Sequence, residues 1–280
     1  MIELWLTRKG AEDVVTKSRG LVADGEAYEY YVGRWSRRVG QVFLDWLSLP
    51  AGLRWVDLGR GTGALTETKL QQTEPSKVTG VEPSEGFLSM ARARIQDSRV
   101  EFKSGDAMSL PLKDSEADVL TAGLVLNFVS DKQSALQEFY RIVQPGGTIA
   151  LYDWDYAGKM QLMRYFWNAV SELFPEGANH DEGKQFPICR PGPLADLFRA
   201  ANLKAVEARA LDVPTVFVDF NDYWSPFLRG QGPAGSYCVS LSEDDRERLR
   251  KHLEDAVPAS PDGSIHLIAR AWGVRGTIPV

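Results

Sequence analysis

Three short stretches carry residue types at spacings that suit nucleoside chemistry. The first is Trp55-Val56-Asp57-Leu58-Gly59-Arg60-Gly61-Thr62-Gly63, an apolar run that ends in glycines and opens a helix-like segment. Glycines permit a tight strand-to-helix turn and let a ligand lie against the backbone. The second is Val78-Thr79-Gly80-Val81-Glu82. A carboxylate at the end of such a run accepts both hydroxyl hydrogens of a ribose. The third is Ser104-Gly105-Asp106-Ala107-Met108, where the Asp106 carboxylate suits an adenine amino group. Singly, each has a plain structural reading as a tight turn or a solvated strand end. In this order, each at the carboxyl end of an apolar run, they describe one nucleoside site. The glycine spacing of dinucleotide-binding dehydrogenases is absent, because position 64 is Ala and the third glycine comes early, at 63.

The elements that must position these residues follow from periodicity. Short apolar runs at 53–58, 77–81, 100–103, 117–124 and 148–152 read as strands, and amphipathic segments at 63–72, 85–96 and 131–143 read as helices. Strands alternating with helices require a parallel sheet covered on both faces. Ahead of them, Trp35, Val39, Val42, Phe43, Trp46 and Leu47 predict a helix over 35–48, stopped by Pro50-Ala51-Gly52. Behind them the alternation breaks. Residues 156–190 and 212–240 are rich in aromatics, with a helix predicted at 193–201, a strand at 205–211, a helix at 242–256 capped by Ser242, and a last strand at 264–272. Residues 1–25 show no clear period.

On these residues the chain resembles the class I methyltransferases that use S-adenosylmethionine (SAM), in particular the bacterial small-molecule type. The matching segments are Val56 to Gly63, Gly80-Val81-Glu82-Pro83-Ser84, Gly105-Asp106-Ala107, Ala117-Asp118-Val119 and Arg141-Ile142-Val143-Gln144-Pro145-Gly146-Gly147. The resemblance implies an α/β, Rossmann-like doubly wound sheet of seven strands, mostly parallel with the last antiparallel, plus cap insertions near 156–190 and 212–258. It divides the chain into an extension over 1–25 and one domain over 26–280. It also implies SAM as cofactor, with Glu82 on the ribose hydroxyls, Asp106 near the adenine amine, Pro83 and Ala107 beside them, Gly59, Gly61 and Gly63 along the methionyl part, and Asp57 supporting the loop. The segment Tyr28 to Ser36 resembles the stretch that closes over the cofactor, with Tyr31 against it and Arg34 suited to a bidentate pair with the methionine carboxylate. Position 60 departs from the family, which usually carries Cys or Ala where this chain has Arg.

SAM carries a methyl already activated on a sulfonium, so positioning and exclusion of water do much of the work. A base is required only for a weakly acidic nucleophile. The leading base candidate is His180, with Asp153 and Asp155 behind it. Trp154, Phe186 and Trp224 are candidates for an apolar acceptor pocket. The Asn-Pro-Pro-Tyr motif of amino-group methylation is absent, the stretch in its place being Leu126-Asn127-Phe128-Val129.

Composition narrows the partners. The 280 residues are 44% hydrophobic and 25% charged, ordinary for a soluble domain. The formal net charge of −6 disfavours a phosphate backbone as partner. Two cysteines, far apart, make neither a disulfide framework nor a zinc site, and no metal is expected. No apolar run is long enough to span a membrane, and the chain reads as cytoplasmic. The expected activity is methyl transfer from SAM to a small-molecule acceptor by in-line displacement, with no nucleic-acid or membrane partner. The alternatives are a SAM-binding protein of the same fold that transfers no methyl, and a methyltransferase acting on macromolecules.

Overall fold

The computed structural model describes residues 33–59 and 63–280. Tyr31, Arg60 and Gly61, and the expectations attached to them, lie outside the described residues. Helix α1 spans Arg34–Leu47, burying Trp35, Val39, Phe43, Leu44, Trp46 and Leu47 on one stripe. Then follow β1 (Arg54–Leu58), α2 (Ala64–Gln72), β2 (Lys77–Glu82), α3 (Glu85–Arg94), β3 (Val100–Ser104) and β4 (Ala117–Gly123). A 3-10 turn over Leu126–Phe128 leads to α4 (Lys132–Ile142) and β5 (Val143–Trp154). These bounds agree with the periodicity within a few residues. The exception is β5, which also takes in Pro145-Gly146-Gly147.

The seven strands run in the order β3-β2-β1-β4-β5-β7-β6, where β6 is Lys204–Phe217 and β7 is Ile265–Thr277. Pairs from β3 through to β5 are parallel, whereas β7 is antiparallel to both β5 and β6. The central strands are buried on both faces, which is why they read as continuous apolar runs. The edge strand β6 alternates over Leu211–Phe217, with Leu211, Val213, Thr215 and Phe217 buried.

From β1 the chain steps outward to β2 and β3, and it returns to the other side of β1 as β4. The order therefore reverses between β1 and β4, and ligands of open α/β sheets bind outside the carboxyl ends of the strands at such a reversal.

The β6–β7 hairpin is longer than its neighbour. Pairing of β5 with β7 ends at Trp154 and Ala271, yet β6 and β7 stay paired out to Phe217 and Ile265. The overhang rises beyond the carboxyl edge of the sheet and carries a helical cap. Its main helix is α5 (Gln161–Leu173), joined by a 3-10 turn (Pro175–His180) and α6 (Glu182–Gln185). Helix α7 (Pro191–Ala200) returns to the sheet. After β6 come α8 (Phe220–Trp224), a 3-10 turn (Ser225–Arg229), α9 (Gly232–Ser240) and α10 (Glu243–Ala256). Residues 212–217, expected in an insertion, instead continue the strand.

The cap has its own apolar interior. Phe166 stacks on Phe227 with centroids 4.5 Å apart, and the buried Tyr223 donates its hydroxyl to the Leu162 carbonyl at 3.0 Å. Among the described residues no helix is long and apolar enough to cross a membrane, and no cluster of metal-ligating side chains is found.

Candidate functional site

The carboxyl ends of β1, β2 and β3 are held in line by the sheet itself. Leu58 is paired with Val81 and Glu82 with Ser104. The Gly59 amide donates to the Val81 carbonyl at 2.9 Å, and the Gly105 amide to the Glu82 carbonyl at 3.3 Å. Gly59, Glu82 and Asp106 thus emerge from neighbouring strands on one edge, in the order that the sequence requires.

Two glycines at this edge are fixed by geometry. Gly59 has φ +61, and a Cβ there would meet Val125 Cγ2 at 2.5 Å. This contact spans the reversal, since Val125 follows β4. Gly63 has φ +92 where it caps α2, and a Cβ there would lie 2.8 Å from Ile95 Cδ1.

Glu82 is 4% exposed and accepts the Ser84 amide at 3.1 Å, while Ser84 in turn caps α3. The acid therefore stands where β2 gives way to a helix start, with Pro83 half-buried beside it. Asp106 is half-buried and its Oδ1 accepts the Met108 amide at 2.8 Å, which tightens the loop after β3 around the buried Ala107.

Asp57 is fully buried. Its carboxylate accepts from Thr66 Oγ1 at 2.5 Å and pairs with Lys69 Nζ at 2.6 Å, both on α2. It clamps the two flanks of the glycine loop together from within the sheet, which is a positioning role.

The donor set fits the nucleoside half of SAM. A buried carboxylate and a half-buried one stand at adjacent strand ends, with glycine backbone between them and β4. A shallow cleft lined by Arg54, Lys77 and Glu116 lies at the opposite, amino end of the strands.

Other expected residues lie elsewhere. A ligand carboxylate is the expected partner of Arg34, but the structure gives it Asp222 at 3.3 Å, with its guanidinium over the Trp35 and Phe217 rings at 4.5 and 5.0 Å. It ties α1 to the cap. His180 is exposed on the cap's 3-10 turn, its ring 5.4 Å from that of Tyr237, so the structure does not bring it to the strand ends.

The aromatic candidates separate. Trp154, 2% exposed, and Trp224, 5% exposed, belong to the larger apolar core. Phe186 is half-buried, with its ring edge-on to Phe128 at 5.4 Å and 5.7 Å from Tyr156. Phe128 ends the turn that begins just after Val125, so Phe186 is where the cap meets the site.

A group ranked second in the sequence becomes prominent here. Asp153 is 1% exposed at the end of β5, and burial pushes its carboxyl up to about 8, with Lys132 and the backbone of Val125 and Asn127 partly opposing. The cap holds a second such acid. Glu182, 2% exposed and hydrogen-bonded by the Trp167 indole, is pushed up to about 7 by burial.

Comparison with known proteins agrees with this geometry. Residues 56–151 match the family described as a methyltransferase domain. A demethylmenaquinone methyltransferase of Lactobacillus johnsonii is 32% identical over 152 residues, covering 51% of this chain and 62% of the relative. Another, from Lactococcus lactis subsp. lactis, is 31% identical over 172 residues, covering 56% of this chain and 68% of the relative. Among solved structures, phosphoethanolamine N-methyltransferase 2 of Haemonchus contortus, in complex with S-adenosyl-L-methionine, aligns with a TM-score of 0.58 at 16% identity. That alignment covers 96% of this chain and 59% of the other, a likeness of fold. With these relatives and a doubly wound sheet whose order reverses between β1 and β4, the chain belongs to the class I SAM-dependent methyltransferases.

Proposed function

We propose that the chain transfers the methyl group of SAM to a small, largely apolar acceptor held between the carboxyl edge of the sheet and the cap. The observation that carries this reading is the alignment of Gly59, Glu82 and Asp106 on three adjacent strand ends beside the reversal. SAM, when bound, supplies a methyl that needs no further activation. The chain's task is therefore to orient, to exclude water and to manage the acceptor's proton.

Glu82 holds the ribose hydroxyls and Asp106 the adenine amine, with Pro83 and Ala107 beside the base. Gly59 and Gly63 would lie along the methionyl part, and Asp57 ties β1 to α2 beside them through Lys69 and Thr66. Phe186 and Phe128 form an apolar wall for the acceptor. The relatives methylate demethylmenaquinone by name, which makes quinone-type ring systems, oxidised or reduced to the hydroxylated form, the first acceptor class to try here. A net charge of −6 favours a small molecule over a nucleic acid.

The test is calorimetry of SAM binding followed by transfer of labelled methyl to a panel of small aromatic acceptors. Binding of SAM by the folded chain and labelled product from one acceptor class are expected. A folded chain that binds no SAM overturns the proposal.

A further inference from the structure

Two buried polar side chains stand at the acceptor side of the reversal, outside the nucleoside half. Among the described residues neither oxygen of Asp153 has a hydrogen-bond partner, and neither amide atom of Asn127 has one. Asp153 is 1% and Asn127 6% exposed. They lie close in the fold, because the backbone amides of Val125 and Asn127 bear on the Asp153 carboxyl where the turn leaves β4, without reaching the geometry of formed hydrogen bonds.

Three further groups complete the surroundings. Lys132 on α4 acts on the Asp153 charge, and its ammonium donates to the Val129 carbonyl at 2.8 Å. Cys189, 1% exposed, comes down from the cap, and burial pushes its thiol up, with the Asp153 charge adding to it and Lys132 opposing. Asp155 accepts the Lys159 amide at 2.9 Å.

A buried polar group without a partner costs about 1–3 kcal/mol. Two such groups from the end of β5 and the turn after β4, beside the strand reversal, therefore point to a ligand group that satisfies both. A carboxylate only accepts, whereas an amide both donates and accepts. One hydroxyl meets both needs, since its O–H donates to Asp153 while its oxygen accepts from Asn127 Nδ2. Phe128, next in the chain after Asn127, has its ring edge-on to Phe186, and this aromatic pair suits a flat ring bearing that hydroxyl.

We infer that Asp153 and Asn127 form a subsite for an acidic hydroxyl, phenolic or enolic, on the acceptor's ring, with Asp153 as its proton acceptor. The inference rests on the methyl-transfer reading above for its place in a reaction, though not for the binding it requires. In the step, the acceptor's O–H bond breaks, its electron pair stays on oxygen, and the proton passes to a carboxylate oxygen of Asp153. The resulting anion is the nucleophile, its charge shared between oxygen and the conjugated ring carbons. Asn127 positions the oxygen and gives up no proton.

The experiment uses 2-naphthol and 2-methoxynaphthalene as probes, titrated onto the full chain in the presence of S-adenosylhomocysteine. At about pH 9, where Asp153 is ionised, the wild type should bind 2-naphthol roughly tenfold more tightly, the worth of a hydrogen bond to a charged group. In Asp153→Leu and in Asn127→Leu that preference should fall to about twofold or less, with binding of the methyl ether unchanged. Neither variant should melt earlier than wild type, because an apolar side chain replaces an unsatisfied buried one. A hydroxyl preference that survives in folded Asp153→Leu overturns the subsite.

Should the leucine variants not fold, the wild type decides. Its preference for 2-naphthol should weaken as pH falls below about 8, where Asp153 holds its own proton, and a pH-independent preference overturns the inference. Transfer of labelled methyl separates the two readings. Wild-type transfer to 2-naphthol that Asp153→Leu matches at every pH removes the proton-acceptor role and leaves the methyltransferase standing. A wild type that binds 2-naphthol through the subsite but methylates no hydroxylated ring removes the proposed activity and leaves the subsite standing.

Discussion

The two halves of the carboxyl edge are built differently. On the β1-β2-β3 side, the groups assigned to the cofactor come from the end of their own strand or the loop directly after it, and parallel pairing sets the mutual positions. On the β4-β5 side, the groups come from the turn after β4, the end of β5 and a cap segment that arrives by way of α5 and α6. One half is local chemistry on a fixed frame, whereas the other is assembled by packing. The cofactor is the same for the whole family, so a fixed frame suffices for it. The acceptor differs, and the assembled half is free to differ with it.

The sharpest break of the fixed frame is at Asp57. Its ion pair with Lys69 is fully buried on both sides. Asp57→Leu strands a buried ammonium and should cost about 3–5 kcal/mol of stability. The double variant Asp57→Leu, Lys69→Met should recover most of that, because a well-packed apolar pair replaces a buried ionic one at little cost. Denaturant unfolding of the three proteins checks both statements. A double variant as unstable as the single one would show that the charges do more than hold β1 to α2.

The difference between the halves also explains what was legible in the sequence. Glu82 and Asp106 were readable because a strand end is a local feature, and Gly59 because a tight turn after a strand selects glycine. Helix α5 was not read in the sequence, although Leu162, Met163, Phe166, Trp167, Ala169 and Val170 recur at helical spacing, because the density of aromatics in that stretch hides the period. The extension of β6 to Phe217 is hidden by Pro214, which an edge strand tolerates. The prominence of Asp153 over His180 was not legible. Burial at the end of a strand depends on what the cap places over it, and no local pattern encodes that. The pairing of Arg34 with Asp222 was hidden for the same reason, as Asp222 is distant in sequence.

Glu82→Ala tests the cofactor half with a smaller effect. Two ribose hydroxyls lose a charged acceptor, so SAM binding should weaken by on the order of 1–3 kcal/mol while acceptor-probe binding holds. Calorimetry at constant salt reads the first, and fluorescence titration of 2-naphthol the second. An unchanged SAM dissociation constant in the folded variant would remove Glu82 from the site.

The cap half carries its own pH signature through Glu182. Its carboxyl titrates near 7 in the folded chain, against the ordinary carboxylate range when unfolded. The folded state therefore holds the proton more tightly. The stability that this proton confers is complete below about pH 4 and is lost as pH rises towards 7. Glu182→Gln cannot ionise and keeps an acceptor for the Trp167 indole. Between pH 5 and 7 its melting temperature should fall less than that of wild type, by an amount on the order of 1–2 kcal/mol. Parallel curves for the two proteins would place the titration elsewhere.

The smallest expected effect sharpens the comparison most, because it separates three aromatic residues that sequence alone treats alike. Phe186 is half-buried between Phe128 and Tyr156, at the junction of the cap with the turn after β4. Trp154 and Trp224 are buried in the larger core, where Trp224 packs 6.0 Å from Phe227. Phe186→Ala removes ring surface that is only partly covered by protein, so most of what it loses is contact with an acceptor. Its Michaelis constant for 2-naphthol, or for whichever aromatic acceptor the panel yields, should rise about fivefold, close to 1 kcal/mol, with SAM affinity unchanged. Truncating Trp224 leaves a cavity in a close-packed core and should cost about 3–5 kcal/mol of stability instead. At a temperature where that variant remains folded, its Michaelis constant should match wild type. The opposite pattern, a stability loss at Phe186 and a selective acceptor defect at Trp224, would move the acceptor away from the β4-β5 edge and towards the interior of the cap.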